Sequence, residues 1–326
     1  MTIATTCQLG PDGPTVSALG IGTWAWGDSL YWTYGKDYDE AQLQETFAAA
    51  IAAGVSFFDT AEVYGLGESE RILGRCLQQT AQPAQIATKY FPIPWRFGSR
   101  SVQKALDQSL ERLQRQSVEL YQVHWPPAFL LGQTTILKTL AAAVKRGQIQ
   151  AIGVSNYNAQ QLHQAQALLA EQGVPLAVNQ VQYSLLERRI ETNGSLAAAR
   201  ELGVTILAYC PLAQGLLTGK YRSEADLRPT GARKINPQFR SQSLEKLQPL
   251  LDQLAALADR YDRTIPQVAL NWLIAQGNVI PIPGAKSPAQ AKDNAGALGW
   301  QLSPEDVASL SQLSSAARSP LAVAAR

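Results

Sequence analysis

The chain has 326 residues, 46% of them hydrophobic and 17% charged, with a formal net charge of +2. That length and apolar content fit one large α/β barrel or two smaller domains. The near-neutral balance has no basic block or acidic tail, which argues against nucleic acid and charged membrane surfaces as partners.

Chain order begins with MTIATTCQLG, which has no charged segment ahead of an apolar one and is not read as a secretory signal. The strand ALGIGTW (18–24) precedes a helix over 40–54. VSFFD (55–59) precedes one over 68–79, and QIATKY (85–90) one over 101–113 with Ser101 as its N-cap. VELYQVHW (118–125), IQAIGVSN (149–156) and LAVNQVQY (176–183) lead to helices over 134–147, 159–173 and 194–203. VTILAYCPL (204–212) runs into an irregular stretch, then helices over 243–260 and 265–276. NVIPIPGAK (278–286) closes the series, with a helix from about 288.

The strands are short and nearly continuously apolar, as buried parallel strands are. Eight strand–helix units predict a (β/α)8 TIM barrel as a single domain over residues 1–326. The surplus over a barrel of about 250 residues falls in 213–262 and the C-terminal tail. A doubly wound sheet is the alternative, but it leaves strands to spare. Cys7, Cys76 and Cys210 are far apart with no C-x-x-C, so neither a disulfide framework nor a zinc ribbon is expected, and no metal site. No stretch reaches the roughly 20 apolar residues of a membrane helix, and a cytoplasmic enzyme is the expected class.

In such a barrel an active site lies at the C-terminal ends of the strands. Those ends carry Asp59, Lys89, His124, Ser155 with Asn156, Gln180, Tyr209 and Lys286. Taken singly, Asp59 could cap a turn, Lys89 could be a solvated strand end, and His124 a satisfied half-buried histidine. Their joint placement on neighbouring strand ends is harder to dismiss. A tyrosine hydroxyl with a reference pKa of about 10 donates a proton poorly at neutral pH unless its anion is stabilised. A buried ammonium beside it favours the phenolate, and a carboxylate keeps that ammonium charged and fixed. Tyr64 is delivered to the Asp59–Lys89 position by the turn after Asp59, and His124 can orient a carbonyl oxygen. The set forms a general acid aimed at a carbonyl, lacking only a reductant or a nucleophile. Glu62, in the same turn, is read as loop chemistry.

Two phosphate motifs fail on context. GIGTWA (20–25) matches G-x-G-x-x-G/A, but WGDSLYWTYG follows it instead of a helix. GLLTGKY (215–221) is one residue short of a P-loop and has Tyr221 where Ser or Thr is needed.

GVSFFDTAEVYGLGESERILG (54–74) resembles the first signature of the aldo-keto reductases, DTAxxYGxGxSExxLG. VELYQVHWPP (118–127), IQAIGVSNYN (149–158), AYCPLAQGLLTGKY (208–221) and VIPIPGAKSPAQAKDN (279–294) extend the resemblance over nearly the whole chain. WAWGDSLYW and ALNWLIAQGNVIPIPGAK are most similar to the reductases of cyanobacteria and plant chloroplasts. The resemblance implies a barrel that binds extended NADPH without a Rossmann motif and reduces aldehydes and ketones. By position it implies Tyr64 as proton donor, Lys89 and Asp59 tuning it, and His124 orienting substrate. Ser155, Asn156 and Gln180 are implied to hold the nicotinamide carboxamide, and Tyr209 to stack on its ring. The resemblance further implies that Asp59, Gly22, Thr23 and Trp24 lie beside the cofactor, that Cys210, Pro211, Leu212, Gln214, Gly215, Leu216 and Lys220 belong to a loop covering the pyrophosphate, and that Gly284, Lys286, Ser287, Gln290, Asp293 and Asn294 surround the adenosine end.

The chain departs from the family pattern at Cys210, usually serine, at Lys286, often arginine, and at Asp293, commonly glutamate. Lys286 and Ser287 still offer charge and a hydroxyl to a 2′-phosphate, which favours NADPH over NADH. Trp24, Trp26, Tyr31, Trp32, Tyr90, Phe91, Trp95 and Trp125 follow strand ends. Some belong to the core; the others, with Trp24, Tyr64, Tyr90, His124 and Trp125 foremost, give an apolar pocket for small or medium neutral aldehydes, dicarbonyls included. No arginine is assignable to a substrate carboxylate or phosphate. Two rivals remain. One is an NADPH-holding binding subunit, like the β subunits of potassium channels, which resemble the same family. The other is a Schiff-base enzyme using Lys89. A monomer or small homo-oligomer is expected.

Overall fold

The computed structural model describes residues 4–93, 96, 98–127, 132–222, 226, 233 and 236–317. A hairpin of β1 (Thr6–Gln8) and β2 (Thr15–Ser17) opens the chain. Eight parallel strands follow: β3 (Gly20–Gly22), β4 (Phe57–Asp59), β5 (Gln85–Tyr90), β6 (Val118–Val123), β7 (Ile149–Ser155), β8 (Leu176–Gln182), β9 (Thr205–Tyr209) and β10 (Val279–Pro281). They pair strictly in chain order. The seam between β3 and β10 is held by a parallel bridge of Gly22 to Gly284 and by Gly22 N–H donating to the Pro283 carbonyl at 2.9 Å. The result is the nearly closed (β/α)8 barrel that the apolar runs predict.

The helices are α1 (Glu40–Ala52), α2 (Glu68–Gln78), α3 (Gly98–Leu113), α4 (Gln133–Lys145), α5 (Ala159–Ala170), α6 (Arg189–Thr192), α7 (Ser195–Glu201), α8 (Ser241–Tyr261), α9 (Ile265–Ile274), α10 (Pro288–Ala295) and α11 (Pro304–Ala317). Each barrel helix buries one stripe. In α3 it is Val102, Ala105, Leu106, Ser109, Leu110 and Leu113, the three- and four-residue spacing of a helix lying on a sheet. Asp39 caps α1, and capping boxes start α5 at Asn158 with Gln161 and α9 at Thr264 with Gln267. Ser101 does not cap α3. The helix begins at Gly98, one turn earlier, and the Ser101 hydroxyl donates back to the Gly98 carbonyl at 2.9 Å. The surplus sequence supplies α8, which packs against the C-terminal α11.

Two apolar shells result. The larger lies between sheet and helices. The smaller fills the barrel with Phe57, Ala87, Leu120, Ala151, Val178, Leu207 and Ile280, and the hairpin adds Leu9 and Val16 to it. The hairpin therefore plugs the N-terminal mouth, anchored by Gly10 N–H on the Thr205 hydroxyl at 2.9 Å. That leaves the C-terminal end as the open face.

Candidate active site

Strand alternation sends every second residue inward. Phe57 and Asp59 of β4 point into the barrel, and so does Lys89 of β5. The Lys89 side chain is fully buried, and its ammonium donates to Asp59 Oδ1 at 2.5 Å, the Thr60 carbonyl at 2.8 Å and the Tyr64 hydroxyl at 3.4 Å. All three protons of the ammonium are engaged. Those contacts favour the charged ammonium over the free amine that Schiff-base chemistry needs. The other Asp59 oxygen, Oδ2, accepts from Gln180 Nε2 at 2.7 Å and Gln122 Nε2 at 3.1 Å.

Tyr64 reaches this pair because the turn after Asp59 is tightly wound. Gly65, Leu66 and Gly67 all take left-handed φ angles of 55°, 56° and 88°. A Cβ on Gly65 would stand 2.8 Å from the Gly27 carbonyl, and one on Gly67 2.8 Å from Arg112 Cδ. Ser69 shares hydrogen bonds with the Thr23 and Thr60 hydroxyls at 2.8 and 2.9 Å, joining two loops under Tyr64. Buried Glu70 accepts from the Thr88 hydroxyl at 2.5 Å and Arg112 Nε at 2.6 Å. The Ser–Glu pair of the quoted signature is thus the turn's anchor. Glu62 is nearly buried and accepts from Phe91 N–H at 2.6 Å and Arg96 at 2.5 Å, which fixes the loop after β5. Its loop role holds, and the sequence pattern gave no sign of the partner.

The electrostatics keep Tyr64 protonated. Burial, and then the Asp59 charge, push its hydroxyl well above the usual tyrosine range. Sequence reasoning expects the Lys89 ammonium to pull the other way. Paired with Asp59 it presents a dipole instead of a free charge, so burial dominates. Burial lowers the Lys89 ammonium, and Asp59 opposes that. His124 is half-buried, with its ring edge-on to Tyr64 at 5.7 Å between centroids. Burial, followed by the Lys89 charge, lowers its imidazole to about 3, so it is neutral near pH 7. Its Nδ1 has no partner among the described residues.

Around this centre lie the other predicted residues. Asn156, at φ 63°, accepts from the Tyr209 hydroxyl at 3.1 Å and donates to Ser155 Oγ at 3.1 Å. Ser155 in turn donates to the Gln180 carbonyl at 2.8 Å. Cys210 is left-handed at φ 50°, and burial raises its thiol to about 11. Ala213, Gln214 and Gly215 are left-handed in succession, a tight turn closed by Ala213 N–H on the Cys210 carbonyl at 2.9 Å and Gly215 N–H on the Leu212 carbonyl at 2.8 Å. The Lys220 ammonium folds to within 3.2 Å of where a Gly215 Cβ would sit. Lys286 lies 4.7 Å from the Tyr38 ring and 5.8 Å from Trp32, and Arg233 5.4 Å from Trp32. Burial, then Arg233, lowers both lysines. Lys220, Lys286 and Arg233 have no salt-bridge partner among the described residues, and three such cations suit the phosphates of a nicotinamide dinucleotide. The residues present fit that cofactor.

Several predicted contacts point elsewhere. Thr23 is fully buried with its hydroxyl on the Asp59 carbonyl at 3.0 Å. Pro211 is buried, and Leu216 packs in the outer core. Asp293 accepts from Thr264 at 2.7 Å and Gln267 at 3.0 Å, so it serves α9. Ser287 caps α10, Gln290 accepts from Lys286 N–H at 2.7 Å, and Asn294 donates to the Gly284 carbonyl at 3.4 Å. Leu212 remains half-buried, its carbonyl accepting from Gly215 N–H at 2.8 Å. Tyr90 is not a pocket residue. It follows inward Lys89 and so turns outward, fully buried in the outer core. Trp26 is also core, donating to the Ala285 carbonyl at 2.9 Å. Trp24 stands 6.5 Å from Tyr64, with Tyr31 and Trp32 at 6.3 and 5.2 Å from it; Phe91 lies 5.4 Å from His124, and Trp125 is 48% exposed at the mouth. Trp95 lies outside the described residues. Gln122 was not singled out from the sequence at all.

Residues 18–315 match the family model described as the aldo/keto reductase family. The chain belongs to that family. It is 41% identical over 307 residues to the chloroplastic pyridoxal reductase of Arabidopsis thaliana, covering 90% of this chain and 82% of the relative. It is 32% identical to the NADH-specific methylglyoxal reductase of Escherichia coli, covering 94% and 98%. The aldo-keto reductase of Klebsiella pneumoniae, solved in complex with NADPH, superposes with a TM-score of 0.73 at 26% identity, covering 98% of this chain and 97% of that one. As an aldo-keto reductase, the protein is an NAD(P)-dependent oxidoreductase.

The neutral His124 has a consequence for acid stability. The unfolded chain takes up its imidazole proton near the reference pKa of about 6.5, whereas the folded chain resists it down to about 3. Stability contributed above pH 6.5 is lost as pH falls through that window. His124→Gln should therefore show a shallower fall in Tm between about pH 6.5 and 4.5 than the wild type; parallel Tm curves would contradict the buried neutral imidazole.

Proposed function

We propose that the protein reduces neutral aldehydes and ketones to alcohols with NADPH, and that Tyr64 donates the proton. The supporting observation is the contact of the Tyr64 hydroxyl with an ammonium paired to a buried carboxylate, Lys89 with Asp59. A bound reduced nicotinamide supplies the hydride. Tyr64, kept protonated by its surroundings, donates its hydroxyl to the carbonyl oxygen and gives up the proton as negative charge develops there. Lys89 stabilises the phenolate left behind, and Asp59 holds Lys89 charged and in place. His124, neutral near pH 7, orients the carbonyl by a hydrogen bond. Asn156, Ser155 and Gln180 hold the carboxamide, and Tyr209, with its hydroxyl tied to Asn156, supports the nicotinamide ring.

Ring side chains wall the substrate end: Trp24, Tyr31, Trp32, Phe91, His124 and Trp125. The nearby cation Arg96 is taken by Glu62, so neutral carbonyls are favoured over carboxylates and phosphates. The names of the plant and bacterial relatives give pyridoxal and methylglyoxal, both small carbonyl compounds. The preference for NADPH rests on Lys286, Arg233 and Lys220 and on the NADPH complex of the Klebsiella neighbour. The chain works as one unit over its length and acts in the cytoplasm, a reading supported by three free cysteines. Among the described residues no helix is long and apolar enough to cross a membrane.

Tyr64→Phe should reduce aldehyde turnover by roughly a hundredfold or more, with NADPH affinity nearly unchanged. Comparable turnover would remove Tyr64 as the donor. Lys286→Ala should raise the KM for NADPH far more than that for NADH. Equal effects on the two would defeat the cofactor preference.

A further inference from the structure

Gln122 is fully buried on β6 and has no part in the chemistry above. It pairs in register with Lys89 on one side and Gly153 on the other, so the three stand at one level of the barrel. Its Nε2 donates to Asp59 Oδ2 at 3.1 Å, and its Oε1 accepts from Gln180 Nε2 at 3.3 Å. The neighbouring strand makes room for it. A Cβ on Gly153 would lie 2.9 Å from Gln122 Cγ and 3.2 Å from Val178 Cβ. A side chain has been given up on β7 where the amide of Gln122 needs the space.

We propose that Gln122 is a positioning residue for carbonyl reduction, holding the Asp59 carboxylate in the orientation that presents Oδ1 to Lys89 and thereby keeps Lys89 against the Tyr64 hydroxyl. The proposal rests on Tyr64 being the proton donor. A carboxylate swinging about its last bond would carry its oxygen off the line to Lys89 and loosen the ammonium's hold against the phenol. Two amide donors on Oδ2 remove that freedom. An amide suits the task because it donates at any pH and brings no charge to compete with Lys89. An apolar side chain would leave a buried carboxylate oxygen short of one donor.

The titratable groups facing this level are Lys89 from β5, Tyr64 from its turn, Tyr209 and Cys210 at the end of β9, and His124 after β6, with Glu70 of α2 acting on Lys89 from behind. Tyr64, Tyr209 and Cys210 stay protonated and His124 uncharged near neutrality. A second carboxylate placed at position 122 would therefore meet Asp59 as its nearest like charge and hold a proton to higher pH than an ordinary glutamate.

The test compares the full chain with Gln122→Met, Gln122→Glu and Tyr64→Phe, measuring kcat and KM for an aldehyde between pH 5 and 9 and the Kd for NADPH by fluorescence quenching. Gln122→Met should lower kcat about ten- to a hundredfold, the loss expected for one hydrogen bond to a charged group, with the Kd nearly unchanged. Gln122→Glu should be active at low pH, where its protonated carboxyl still donates to Asp59, and lose activity as pH rises; a residue that only fills space would show no such dependence. A Met variant within twofold of wild-type kcat, or a Glu variant whose pH profile superposes on the wild type, would overturn the proposal. If the Met variant does not fold, the Glu profile decides. Comparable activity in Tyr64→Phe overturns the donor assignment and this proposal together. An inactive Tyr64→Phe beside an unimpaired Gln122→Met overturns this proposal alone.

Discussion

A carboxylate and an ammonium buried side by side, Asp59 and Lys89, set the terms for the rest of the open end of the barrel. Desolvating two such charges costs several kcal/mol each, and their attraction compensates only when every remaining lone pair and proton finds a partner. The surroundings supply those partners from separate strands. Lys89 spends its other protons on the Thr60 carbonyl and Tyr64, and Asp59 receives Gln122 from β6 and Gln180 from β8. Losing one charge would leave the other uncompensated, at a cost of about 3–5 kcal/mol. Such a pair is a poor way to gain stability and a good way to fix an ammonium against a phenol.

Satisfying that pair dictates backbone geometry nearby. Tyr64 arrives only because three successive residues after it take left-handed conformations, two of them glycines closely approached by other chain segments. Asn156 and Cys210 take left-handed φ directly after their strands, conformations costly for side-chain-bearing residues unless the surroundings enforce them. Here the enforcement is visible in the Tyr209–Asn156–Ser155–Gln180 chain of hydrogen bonds, which returns to Asp59. The groups assigned to the cofactor carboxamide and those assigned to the proton thus share one network.

Much of this was legible in the sequence, because buried parallel strands leave continuous apolar runs and reactive residues interrupt them at their C-terminal ends. The eight strands, the Asp59–Lys89 pairing and the delivery of Tyr64 follow from that logic. The opening hairpin did not show, since strands of three residues are too short to display a period. Gln122 hid inside VELYQVHW, where Glu119 and His124 are polar too and an uncharged amide between apolar neighbours looks like a solvated position. Thr23, Leu216 and Asp293 sit where cofactor contacts were expected but turn their side chains into packing or capping, a direction that position along the chain does not reveal. Tyr90 was decidable in advance. Once Lys89 points inward, alternation sends its neighbour out.

The most direct measurement of the Asp59–Lys89 pair as the tuning element is steady-state aldehyde reduction by Lys89→Met, with NADPH affinity and folding checked on the same preparation. Loss of kcat by roughly a hundredfold or more, in a folded protein whose NADPH Kd moves by less than about threefold, is the predicted result. A folded Lys89→Met enzyme that turns over at close to the wild-type rate would contradict it.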